Sequence, residues 1–282
     1  MIKTFSKRPV CLLALCLAAV IILPYSAFAV ERSPELDAAL SMLEEGNPFI
    51  TAYNEQTGAD ISARFPDGCP YFFGGKDVSL IGKSRKAWES STYYKEGEWY
   101  PAGLDCVGFT RWVFAESGRS EHPSISALVG ERGAACRIDM TEGQPALILF
   151  ELLKVGDLLA IRHASGGYHI MMYIGTLRDF GFSQEEVGAK LRNKLDYPLM
   201  IHCSSNRDYT DRYLIWNRAN APWANTTDGG VMVSVFGCSE DDCDGILQNL
   251  DKTSMPYIDF KGYHLTVYNP DEGAVCRWIR WK

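Results

Sequence analysis

The chain has 282 residues, 46% of them hydrophobic, with 28 Lys and Arg against 35 Asp and Glu and a formal net charge of −7. That acidic balance argues against nucleic acid or an anionic membrane surface as a partner. The length accommodates one large core with insertions, or a core plus a small appendage.

Lys3, Lys7 and Arg8 form a basic start, Val10 to Leu23 is an apolar run, and Ala27-Phe28-Ala29 supplies the small residues a signal peptidase reads. The pattern predicts a secretory leader over residues 1–29, and so a secreted or cell-envelope protein with no stable membrane insertion after cleavage. An uncleaved anchor is the alternative, disfavoured by the shortness of the apolar run. Loss of the three basic residues takes the net charge from −7 to −10. Cys11 and Cys16 leave with the leader; Cys69, Cys106, Cys136, Cys203, Cys238, Cys243 and Cys276 remain. An odd number in an exported chain leaves one thiol over, so up to three disulfides are expected, with Cys106 as the free cysteine.

Ser33 to Glu45 carries Leu36, Ala39, Leu40 and Leu43 at helical spacing with Ser33 as cap, and Asn47-Pro48 restarts a second helix that stops near Gly58. Residues 30–62 therefore read as an N-terminal helical cap. Pro70-Tyr71-Phe72-Phe73-Gly74-Gly75 follows, a strand-like aromatic run closed by glycines that let another backbone approach. Residues 76–101, with Trp88, Tyr93, Tyr94, Trp99 and Tyr100, read as an ordered insertion that either shapes a groove or merely packs on the surface.

Gly103-Leu104-Asp105-Cys106 reads as a turn that delivers a cysteine onto the first turn of a short helix ending at Gly118. Unpaired backbone N–H groups and the helix dipole favour the thiolate there. A lone cysteine is more commonly a small buried hydrophobe, and both readings stay open at this point. Farther on come an apolar helical segment over residues 145–153, a strand Leu158 to Ile161, a turn, and a return strand Tyr168 to Gly175. Ser183 and Glu186 form a capping box for a helix to about Asn193. Strands are expected at residues 198–202, 231–236 and 263–268 and in the tail around Trp278. Helices followed by a run of antiparallel strands define an α+β fold.

A thiol nucleophile needs a base for its proton and a third polar group to fix the base. His122 sits in a loop, His163 opens the turn, and His264 lies in a late strand. His169 lies inside an apolar strand, where its ring is costly unless paired, and His202 ends the next strand. The two could stand on neighbouring strands facing one helix terminus.

Taken in order, Pro70 to Gly75, Leu104-Asp105-Cys106-Val107-Gly108-Phe109, Val155-Gly156-Asp157-Leu158, Tyr168-His169-Ile170-Met171-Met172-Tyr173-Ile174-Gly175 and His202 resemble the NlpC-type family of papain-like cell-wall cysteine peptidases. Val107 stands where that family usually has Ser, and Met171 where it often has Gly. The resemblance implies a papain-like fold with the nucleophile-bearing helix packed on an antiparallel sheet. It implies Cys106 as nucleophile, His169 as base and then acid, His202 as the group that orients the imidazole, and Tyr71 near the oxyanion or substrate. It also implies Asp105 as the holder of a stem peptide's free amino terminus; the residues themselves allow Asp105 equally well as the helix N-cap. The implied activity is hydrolysis of peptidoglycan stem peptides, at the bond between γ-D-Glu and the diamino acid, without cofactor or metal. A wall amidase or transpeptidase with the same residues, or a non-catalytic wall-binding module, are the alternatives. The catalytic domain is placed at 63–282, with insertions at 76–101 and 176–197 and an extended part at 207–282 that has no counterpart in the motif set.

Glu240-Asp241-Asp242-Cys243-Asp244-Gly245, with Asp251, mimics a calcium loop, but it follows a strand and lacks the terminal Glu; a solvated acidic loop is favoured. Asn225-Thr226-Thr227 matches a glycosylation acceptor. Paired zinc-ligand spacing is missing.

Overall fold

The computed structural model describes residues 32–62, 68–87, 95–130, 138, 150–184, 192–204, 230–236, 259–260, 263–268, 270 and 272–282. The leader, the acidic segment 240–251, Asn225, the cysteines at 136, 238 and 243, and most of the helices expected over 145–153 and 183–193 lie outside these residues.

Two short helices open the described chain. In α1 (Pro34–Ser41) the Ser33 hydroxyl accepts the Leu36 N–H at 3.2 Å, and in α2 (Pro48–Thr57) Asn47 Oδ1 accepts from Phe49 and Ile50 at 2.9 and 3.1 Å. Each side chain satisfies N–H groups that a helix start otherwise leaves unpaired, and Pro at the first position loses nothing because its donor is missing anyway. Leu36, Ala39, Phe49 and Ile50 are buried and belong to the main core. Arg119 reaches back to Glu35 at 3.3 Å, which ties α1 to the chain after the cysteine helix.

The 76–101 segment forms a small ribbon, in which β1 (Ser84–Lys86) pairs antiparallel with β2 (Trp99–Pro101). Tyr100 packs with Phe72 and Ala87 in a separate buried cluster, whereas Trp99 is 65% exposed. Next come α3 (Cys106–Glu116) and α4 (Ile125–Val129), then β3 (Leu158–Arg162), β4 (Tyr168–Thr176), β5 (Pro198–Ser204), β6 (Gly230–Phe236), β7 (Asp259–Phe260), β8 (Tyr263–Tyr268) and β9 (Val275–Ile279).

The last seven strands make one sheet in the order β7-β8-β6-β5-β4-β3-β9. Every pair is antiparallel except β6 with β8, which run parallel from Val233↔Leu265 to Phe236↔Tyr268. The sheet is thus not wholly antiparallel, contrary to expectation: a hairpin cannot join parallel neighbours, and residues 237–262 separate those two strands along the chain. The interior strands β4, β5 and β6 are buried on both faces, which explains why they read as nearly continuous apolar runs. Helix α3 packs against β4 and β5, and α4 against β3, β4 and β9.

The tail closes the edge. Leu158↔Ile279 to Arg162↔Val275 pair β3 with β9, and Arg280 forks onto Asp157 at 2.9 and 2.7 Å. Asp157 is only 2% exposed and also accepts the Lys154 N–H at 2.7 Å. A bidentate pair of this kind, with the carboxylate buried and the guanidinium partly exposed, fixes orientation as well as adding energy. The Val155-Gly156-Asp157 turn is therefore an anchor for the C-terminal strand.

Candidate active site

Cys106 is placed by a close crossing of backbones. Leu104 N–H donates to Pro70 O at 3.1 Å, Asp105 N–H to Gly75 O at 3.0 Å, and Phe72 N–H to Leu104 O at 2.9 Å. A Cβ on Gly108 would stand 1.8 Å from Gly75 O, and one on Gly103 1.8 Å from Pro70 O. Glycine is required there by contact, so the aromatic-Gly-Gly segment and the turn before the cysteine are two halves of one seat. Tyr71, half-buried, bridges to Leu104 within that seat, two residues before the cysteine.

Asp105 is the N-cap of α3: its Oδ1 accepts the Gly108 N–H at 2.8 Å, and it is 5% exposed. Burial raises its pKa, opposed by the N–H groups of Gly108 and Val107 and by the charges of Lys76 and Arg111. Cys106 is 8% exposed. The backbone N–H groups of Ile170, Val107 and Cys106 itself act on its sulfur and favour the thiolate, but burial and the negative charge of Asp105 outweigh them and push the thiol up to about 12. The depressed thiol pKa expected from a helix start is thereby overturned. Helix-end N–H groups win only where water can still reach the sulfur or a cation stands by.

The Ile170 contact brings the sulfur to the strand residue directly after His169. From there a chain of polar groups runs across three strands. His169 Nε2 lies 2.9 Å from His202 Nδ1, and His202 Nε2 lies 2.9 Å from Ser234 Oγ. The register explains this: His202 pairs with Met232 and Met200 with Ser234 across β5 and β6, so His202 and Ser234 share a face. His169, His202 and Ser234 are 7%, 1% and 1% exposed. Tyr268 stacks on His169 at 5.6 Å between centroids and meets His202 edge-on at 5.7 Å. Burial holds both imidazoles neutral, with His169 lowered to about 3 and His202 well below its ordinary value.

Neutral rings dictate one proton per ring. If His169 Nδ1 is left bare to accept a proton, Nε2–H donates to His202 Nδ1, and His202 Nε2–H donates to Ser234. Ser234 closes the chain, and its hydroxyl can accept from or donate to the His202 ring. Sequence reasoning missed it, and Tyr268 too, because both come from strands whose pairing no local pattern reveals. Period-2 alternation places Ser234 as the single polar residue in an apolar strand, which is the one signal available.

His122 has partners of its own, whereas His163 reaches the hydroxyl of the Tyr268 ring that stacks on His169. His122 is 1% exposed and bridges Thr110 Oγ1 at 2.7 Å and Pro123 O at 2.8 Å; His163 Nε2 lies 3.4 Å from the Tyr268 hydroxyl. The expected disulfide pattern is not seen among the described cysteines: Cys69 and Cys203 are free thiols along with Cys106. Cys69 and Cys203 are fully buried, and Cys203 Sγ donates to Leu104 O at 3.0 Å. They pack as small hydrophobes beneath the seat of Cys106. Among the described residues no group of three His, Cys, Asp or Glu side chains could hold a metal.

A helix starting on a cysteine and packed against a sheet that carries a buried histidine pair is the α+β architecture of papain-like peptidases. The chain belongs to the NlpC/P60 family, whose model matches residues 68–208, half of its length. That family comprises cell-wall peptidases and hydrolases acting on peptidoglycan peptides. Neither the curated proteins nor the solved structures give a significant match. The matched segment ends before β6, so Ser234, Tyr268 and the edge strand β9 all lie beyond it. Among the described residues no helix is long and apolar enough to cross a membrane.

Proposed function

We propose that the protein is an exported cysteine peptidase that hydrolyses peptidoglycan stem peptides at the bond between γ-D-Glu and the diamino acid. The observation that carries the reading is the His169–His202–Ser234 chain, which ends at the strand position next to the Cys106 sulfur. Buried polar groups are costly unless they are satisfied, and this chain pairs His169 Nε2 and both nitrogens of His202; the tautomer in which His169 Nε2–H donates leaves Nδ1 as an acceptor.

With both partners neutral at rest, deprotonation of Cys106 accompanies attack. The S–H proton passes to His169 Nδ1 as the S–C bond to the amide carbonyl forms. The Cys106 N–H, at the helix start, donates to the oxyanion, and Tyr71 flanks it. His169 then gives its proton to the leaving amine, the C–N bond breaks, and water hydrolyses the thioester with His169 as base. His202 and Ser234 hold the ring and spread its transient positive charge. Export rests on the leader pattern over residues 1–29.

Mass spectrometry of fragments released from purified peptidoglycan tests the bond. Newly freed diamino acid amines, paired with γ-D-Glu carboxyl ends, are expected. Free L-Ala amino termini would indicate an amidase instead.

A further inference from the structure

Tyr268 touches both imidazoles of the polar chain, although it comes from β8, which β5 and β6 separate from β4 in the sheet. Its ring plane lies 23° from that of His169, so the phenol covers a face of that imidazole; with His202 the angle is 77°, a T-shaped contact. Phe236, its register partner on β6, lies alongside at 6.3 Å and 16°.

The far end of the phenol is tied as well. Its hydroxyl lies 3.4 Å from Nε2 of His163, in the turn that joins β3 to β4. The His163 N–H donates to Gly167 O at 2.8 Å and the Gly166 N–H to His163 O at 3.0 Å, which closes that turn just before the chain enters His169. A charge on His163 opposes a second charge on His169, so what His163 supplies is the hydrogen bond.

These contacts meet a need that the polar chain leaves open. One hydrogen bond at the edge of an imidazole tolerates a broad swing about χ2, and a partner on its face limits that swing. The face has a second effect. His169 becomes an imidazolium during attack, and the negative face of a phenol ring stabilises that cation more than the neutral ring.

We propose that Tyr268, tied down by His163, is a positioning residue for His169: it holds Nδ1 toward the Cys106 sulfur and favours the imidazolium as the thiol proton arrives. The inference rests on the peptidase reading for its substrate, but the thiol–imidazole pair can be probed without one. The family-matched segment ends at residue 208, so this ring is supplied by the chain's own C-terminal part.

The test is alkylation of Cys106 by iodoacetamide at neutral pH, read by mass spectrometry of the Cys106 peptide, beside hydrolysis of peptidoglycan stem peptides. As the sulfur bonds to the acetamide carbon, iodide leaves and the S–H proton passes to His169 Nδ1, so the rate reads the imidazole with no peptide present. Tyr268→Leu removes the face and is expected to slow alkylation about tenfold, and to lower kcat by a similar factor with KM unmoved. Tyr268→Phe keeps the face and loses the tie. A loss of about two- to fourfold is expected there, the same from His163→Ala, and no further loss in the double variant. A Tyr268→Leu protein with the wild-type circular dichroism spectrum that alkylates and turns over like wild type, or loses only in KM, overturns the proposal and leaves the peptidase reading standing. Should that variant misfold, the other two decide: losses that multiply in the double variant, or no loss in either single one, overturn the tie. The expected ranking in alkylation, from a wild-type protein that releases no peptidoglycan fragments, keeps the positioning role and removes the peptidase.

Discussion

Lowering the pH from 7 to 5 should strip this protein of much of its stability, because three buried histidines cannot take up protons while folded. His122 is lowered to about 4 and His169 to about 3, and His202 lies well below its ordinary value, in each case chiefly through burial. In the unfolded chain all three titrate near 6.5. Their contribution is therefore intact above about pH 6.5 and is lost as the pH falls toward the folded values, since only the unfolded state gains protons in that window. Between pH 7 and 5 His122 and His169 each cost about 2 kcal/mol, and His202 acts in the same direction, a loss that is a large part of the whole stability of many domains. Asp105 runs the other way, because its raised pKa favours the folded state on protonation, but it acts only as the pH nears the carboxylate range. Urea unfolding followed by circular dichroism across this range measures the slope, and His122→Gln should lower the loss by about 2 kcal/mol. A midpoint that stays flat from pH 7 to 5 would refute the claim that these rings are buried and neutral.

Three further outcomes follow from the geometry. Ser234→Ala removes the hydrogen-bond partner of His202 Nε2, which should cost about 1–3 kcal/mol in urea unfolding and lower kcat roughly 5- to 30-fold, with Ser234→Thr retaining most of both. Gly108→Ala gains up to about 1 kcal/mol in helix propensity, but its Cβ would meet Gly75 O at 1.8 Å, so the crossing must open and a net loss of at least about 2 kcal/mol is expected by the same measurement. Alkylation of Cys106 by iodoacetamide should rise steadily with pH through 9, as its raised pKa requires; a plateau below pH 7 would show a stabilised thiolate instead.

Much of the site was legible because its signals are local. Ser33 and Asn47 cap helices where their side chains predict, Asp105 caps the helix that begins at Cys106, and His169 and His202 meet as neighbouring-strand histidines. The aromatic-Gly-Gly segment also lies against the cysteine turn, as its glycines suggest. What escaped depends on pairing between distant strands. Nothing near Ser234 announces that β6 lies beside β5, nor near Tyr268 that β8 runs parallel to β6. The protonation of the Cys106 thiol escaped for a related reason. Helix-end effects can be read from a dozen residues, but the burial that outweighs them comes from the whole fold. The free state of Cys69 and Cys203 is likewise a matter of where the sulfurs land and not of how many there are.

The central claim is that Cys106 cleaves stem peptides. Purified peptidoglycan incubated with the wild-type protein should release fragments bearing newly freed diamino acid amines. The Cys106→Ala protein, with an unchanged circular dichroism spectrum and urea midpoint, should release none. Undiminished release by that variant would contradict the account.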